Sequence, residues 1–113
     1  MRRIPTKLRA EMEADPYYHR CCVTGVRRGY GVKIDFHHNL IYAGRQVNEK
    51  WCILPLLRSV HDQANSKTMR DKLDWIMLNR TDEATLRAYS KAKDLVRRRD
   101  QLNEEFGVYK VKL

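Results

Sequence analysis

Cysteine is scarce in this chain and badly spaced for cross-linking. The 113 residues hold three, an odd number, with Cys21 and Cys22 adjacent and no regular spacing to Cys52. That argues against a disulfide framework. Long apolar runs are missing too: the opening MRRIPTKLRAEMEADP is charged, and no uninterrupted apolar stretch reaches membrane-spanning length. The expectation is a reducing, cytoplasmic setting and no membrane partner. Acidic residues are in deficit, 14 Asp and Glu against 23 Lys and Arg for a formal charge of +9. Such a surplus predicts attraction to polyanions, nucleic acid first. No internal repeat or low-complexity linker interrupts the chain, so 1–113 reads as one domain.

What is present reads as α+β. Pro5 to Ala14 combine a proline suited to a first helical turn with strong helix formers, and Asp15-Pro16 stops the run. Leu8 and Met12, four apart, give this short helix one docking face. RCCVTGVRRGYG then reads as a strand entering a tight basic loop. Val32 to Phe36 alternates, with Val32, Ile34 and Phe36 facing a core and Lys33 and Asp35 facing outward, and delivers His37 and His38 at its end. Asn39 to Lys50 suits a hairpin-like excursion, and Trp51 to Leu54 a second strand that Pro55 ends.

Ser59 followed by Asp62 reads as a helix start, with His61 in the first turn and Asn65 one turn later on the same face. Thr68 to Asn79 places Met69, Leu73, Ile76 and Met77 at helical spacing against a core. Thr81 is a good N-cap for a long helix running to about Glu105, and Gly107 ends it. Its Ala88, Ala92, Leu95, Leu102 and Phe106 suit packing along the chain's own domain, or a homodimer seam if the protein is not a monomer. VYKVKL alternates like a terminal strand, and Trp51 and Trp75 read as core residues rather than base-stacking platforms.

Three of the four histidines lie between Asp35 and Asn65. Neutral imidazoles are good ligands for divalent transition ions, and a strand end followed by a helix can bring two of them together. Two ligands leave positions open for water and substrate, as a catalytic ion needs. Strand geometry sends the adjacent His37 and His38 in different directions, so both should not bind one ion. Phosphodiester hydrolysis needs a base for the attacking water and a cation for the developing charge, so one histidine suits the first role and the other the second. A structural zinc is not expected: Cys22 has Gly25 where a Cys-x-x-Cys pair needs its second thiol.

The ordered set His37-His38, Asn48, His61, with the local forms DFHH, ILPLL and SVHDQAN, resembles the HNH endonuclease family. The resemblance implies a ββα-metal finger over about 21–65, a two-stranded hairpin plus a helix, followed by a helical extension over about 67–106. It implies His38 as general base, His37 and His61 as metal ligands, and Asn48 bracing the loop and orienting the base. Asn65 falls where some members place a further ligand, and Asp35 is an alternative ligand or a partner of one. The implied activity is single-metal hydrolysis of DNA, with Mg²⁺ or Mn²⁺ as first candidates and Zn²⁺ or Ni²⁺ as others. Arg27, Arg28, Arg45 and Arg58 would steer the DNA backbone. RNA stays open as a substrate, as does a non-catalytic nucleic-acid-binding module on the same scaffold. The family is common in bacteriophages and mobile elements, which suits the size of this chain.

Overall fold

The N-terminal helix forms where its residues dictate. Helix α1 (Thr6–Ala14) has Pro5 at its N-cap and buries Met12, and the Asp15 carboxylate then accepts from Tyr17 N–H at 3.0 Å to open a 3₁₀ turn at Pro16–His19. The computed structural model describes residues 4–42, 45–89 and 94–110, with the side chains of residues 41, 42 and 45 outside that description. Strand β1 (Ile34–His38) carries the paired histidines, and β2 (Ile41–Tyr42) and β3 (Arg45–Gln46) form a separate small hairpin beyond it. After a 3₁₀ turn at Lys50–Cys52 come β4 (Ile53–Leu57), α2 (Arg58–His61), α3 (Lys67–Arg80), α4 (Glu83–Ala88) and α5 (Leu95–Phe106). The fold is α+β. β1 and β4 pair antiparallel from Ile34↔Leu57 to His38↔Ile53, and α2 follows β4 without a linker.

Several expectations need correction. Residues 20–32 form no strand: isolated bridges at Arg20↔Arg27 and Gly29↔Val32, with Gly25 and Gly31 at positive φ, fold them into tight turns. Pro55 does not end the second strand but sits at its centre, opposite Phe36. Its carbonyl accepts from Cys22 N–H at 2.9 Å, so the side of the residue that lacks a donor faces away from β1, where no ladder bond is lost.

Ser59 is not a cap, because β4 runs straight into α2 and Leu57 takes the N-cap position. That helix lasts a single turn. Turns from Val60 C=O to Gln63 N–H and from His61 C=O to Ala64 N–H carry the chain past Asn65 to Ser66, whose hydroxyl accepts from Met69 N–H and starts α3. The expected long C-terminal helix is two helices. Asp82 and Asp94 each cap a start, accepting from Thr85 N–H and Arg97 N–H, while the Thr81 hydroxyl turns back to Met77 C=O at the end of α3. Gly107, at φ +89, closes α5 as expected, and residues 108–110 are irregular instead of extended. Ala92 and the Val111–Leu113 end of the expected terminal strand lie outside the described residues.

The β1–β4 ribbon separates two apolar clusters. Leu54 and Leu56 point into the larger one with Val60, Leu73, Met77 and Leu102, and Ile53 points into a smaller one with Ile4, Met12 and Tyr18. Period-two alternation produces that partition. Helix α5 lies along α3 and buries Leu95 and Leu102 in the same core. Cys21, Cys22 and Cys52 are all buried there as free thiols, and Trp51 and Trp75 pack against it. No helix among the described residues is long and apolar enough to cross a membrane.

Candidate active site

Alternation along β1 puts Asp35 and His37 on one face and Phe36 and His38 on the other. On the first face α2 brings up His61, whose ring centroid lies 5.1 Å from that of His37 at an interplanar angle of 66°. Two rings that share an ion at ~2.0–2.1 Å per bond have centroids about 5 Å apart, so the spacing suits a common ligand. Burial, reinforced by the neighbouring His61, pushes His37 down to about 4, against a smaller opposing effect of its hydrogen bond with Asn39. His37 is therefore neutral at pH 7, the form in which an imidazole binds a metal.

Asp35 is next to this pair but turned to a different task. Its Oδ2 accepts from His61 Nδ1–H at 3.0 Å and forms an ion pair with Arg58, whose Nε lies 3.1 Å away. The carboxylate fixes the His61 tautomer and leaves Nε2 as that ring's lone pair, the arrangement by which carboxylates orient metal-binding histidines. Arg58, expected to face DNA, has its Nε committed to Asp35 while 68% of its side chain stays exposed. Nothing in the sequence pattern marked Arg58 as the second partner of Asp35.

On the opposite face, His38 Nε2–H donates to Asn48 Oδ1 at 2.6 Å. A carboxamide oxygen only accepts, so the proton sits on Nε2 and the neutral ring carries its lone pair on Nδ1. Asn48 reaches His38 because the excursion closes on itself: Val47 N–H bonds Leu40 C=O, Asn39 N–H bonds Cys52 C=O, and the Tyr18 hydroxyl lies 2.6 Å from Lys50 O.

Beside the strand end a cavity of about 790 Å³ is lined by His37, His38, Asn65, Lys67, Arg70 and Arg98 among others. Asn65 thus reaches the neighbourhood of the histidines from an exposed turn, not from a helix face shared with His61. The cavity wall is braced by Asn39, which donates to Asp74 at 3.0 Å, and by Arg98, which bridges Asp71 and Asp74. The sequence reading missed this network, whose one local signal was the i, i+3 spacing of Asp71 and Asp74 on α3.

Arg27 and Arg28 lie in the turns before β1, and Arg28 pairs with Glu13 at 2.6 Å. The Arg45 side chain lies outside the described residues. Among the described residues no group of three or more His, Cys, Asp or Glu side chains converges as an ion would require. Among the described residues His37 and His61 are the pair of imidazoles that could share an ion, with further positions left to water, Asn65 or a substrate oxygen. Compared with models of protein families, with curated proteins and with solved structures, the chain matches none.

Proposed function

We propose that the chain is a metal-dependent endonuclease of the HNH type, hydrolysing DNA phosphodiesters with His38 as general base. The observation that carries the reading is the separation of two adjacent histidines onto opposite faces, His38 held by Asn48 and His37 set against His61. Asn48 keeps the His38 proton on Nε2, so Nδ1 is the atom that takes a proton from water. His37 and His61 would hold one divalent ion, Asp35 fixing His61 for it. Such an ion, when bound, supplies positive charge for the phosphate and the leaving oxygen. A donor set of two imidazoles favours Mn²⁺, Zn²⁺ or Ni²⁺ over Mg²⁺, which prefers oxygen. The surplus of nine positive charges supports a polyanionic substrate.

The family's finger has a helix after its second strand, and here α2 is only one turn. His61 still falls at the end of that turn, next to His37. The test is nicking of supercoiled plasmid in Mn²⁺, Ni²⁺ and Mg²⁺ by wild type, His38→Ala and His61→Ala. Wild type should cut and EDTA should stop it, and His38→Ala should be slower by roughly 10²–10⁴-fold with its circular dichroism unchanged. A His38→Ala protein that cuts at the wild-type rate rules out the base. His61→Ala with intact metal binding and cutting rules out the ligand. The alternative of a non-catalytic nucleic-acid-binding module draws on the lack, among the described residues, of a third converging donor. Salt-dependent DNA binding without cutting in any of the three ions would favour it.

A further inference from the structure

Tyr30 is 107% exposed, while every other aromatic side chain among the described residues is buried or half-buried. It sits at the tip of a two-residue loop closed by reciprocal bonds, Gly29 N–H to Val32 C=O at 3.1 Å and Val32 N–H to Gly29 C=O at 3.0 Å. Gly31, at φ +76, supplies the left-handed residue that the turn needs. Gly29 is different. Its φ is not positive, and a Cβ added there would meet nothing within 4 Å. Neither the turn nor internal packing calls for glycine at that position. A bare backbone beside a presented aromatic ring leaves room for the close approach of another molecule.

The charge around the tip indicates which kind of molecule. From Val26 to Lys33 the segment carries Arg27, Arg28 and Lys33 and no acid. Among the described residues Arg28 pairs with Glu13, whereas the exposed Arg27 and Lys33 have no acidic partner. A rigid aromatic between cations is the chemistry that holds single-stranded nucleic acid: the ring stacks on a base and the cations take the flanking phosphates.

We infer that the loop tip from Arg27 to Lys33 is a second nucleic-acid contact, with Tyr30 as the stacking surface for an unpaired base. The inference rests on the nucleic-acid reading above and adds a substrate class, DNA with an unpaired stretch. Tyr30 and His38 are eight residues apart, at most about 29 Å of extended chain. That is about eight base-pair steps of duplex at ~3.4 Å each. The tip therefore meets DNA within about eight base-pair steps of the scissile phosphate.

The experiment is equilibrium binding in EDTA, where turnover is not required, of a labelled duplex with a single-stranded arm and of the fully paired duplex. Wild type is compared with Tyr30→Ala, Tyr30→Trp and Gly29→Val. On the armed DNA, Tyr30→Ala should bind roughly 5- to 100-fold more weakly, Tyr30→Trp at least as tightly as wild type, and Gly29→Val more weakly despite an unchanged circular dichroism spectrum. The fully paired duplex should respond less. Equal binding of armed DNA by wild type and Tyr30→Ala overturns this inference and leaves the nuclease reading standing. Failure of wild type to bind either DNA overturns both. Phosphatidylserine vesicles provide the contrasting arm: a Tyr30→Ala protein that loses vesicle binding and keeps DNA binding assigns the tip to a lipid surface and overturns the inference.

Discussion

Replacing Asp35 by alanine removes one oxygen that serves two partners, His61 Nδ1–H, which donates to it at 3.0 Å, and the Arg58 guanidinium, an ion pair at 3.1 Å. The carboxylate side chain is 15% exposed, but its partners are 33% and 68% exposed and regain water when it is lost. A hydrogen bond to a charged group contributes ~1.5–3 kcal/mol when well shielded, and an ion pair to a side chain as exposed as Arg58 contributes less. Discounted for solvent screening at both partners, the expected loss of stability is about 1–2 kcal/mol in total. The effect on the proposed metal site should be of similar size for a different reason. Without the carboxylate, the His61 ring can rotate and exchange tautomers, and loss of such an orienting partner lowers metal affinity by ~10–100-fold. Urea denaturation reads the first quantity, and calorimetric titration with Mn²⁺ or Ni²⁺ reads the second. Asp35→Asn keeps an acceptor without the charge and should fall between. Arg58→Ala leaves the His61 bond in place and should change ion affinity by less than about threefold, since an exposed pair contributes little. Asp35→Ala with ion affinity within twofold of wild type would refute the reasoning, whatever its stability.

Two further predictions concern stability. Because the folded-state value of His37 lies near 4, below its ordinary 6.5, the unfolded chain takes up the proton first on acidification. Stability is thus intact above pH ~6.5 and lost as pH falls toward 4, by about 2 kcal/mol between pH 7 and 5 from this residue. His37→Gln should flatten that part of a urea-midpoint against pH curve, and an unchanged slope would count against the burial argument. Arg98→Ala strips buried Asp71 of its 2.7 Å partner and leaves it with Lys67, whose side chain is 82% exposed. Breaking a fully buried pair costs ~3–5 kcal/mol. Arg98 is 38% exposed, so about 2 kcal/mol is expected in chemical denaturation, with a value below about 0.5 contradicting it.

The site was legible where short-range rules govern it. Alternation on a strand predicted that His37 and His38 would part, and they do. Helical spacing predicted α3 and its buried Leu73, Ile76 and Met77. What escaped depended on competition between local signals or on partners distant in sequence. Asp82 and Asp94 compete with helix continuation and divide the C-terminal segment, whereas the apolar pattern alone favoured one helix. Pro55 was read as a stop because a sequence does not tell which side of a strand its missing donor will face. The double hold of Arg58 and His61 on Asp35 spans 23 and 26 residues, and no spacing rule reaches that far.

The outer edge of β4 has a consequence for how the chain behaves before it is fully folded. Along that edge Ile53 C=O meets the Tyr18 hydroxyl at 3.0 Å, Pro55 has no N–H to offer, and Pro55 C=O is taken by Cys22 N–H. A bare strand edge is a template for pairing with another chain, and aggregation often begins there. Here half of the protection is permanent, because a proline cannot donate even in a partly folded chain. The other half arrives only when residues 18–22 dock. Recovery after dilution from denaturant should therefore depend on the N-terminal segment, with truncations before Cys22 refolding into aggregates rather than into a weakened native state.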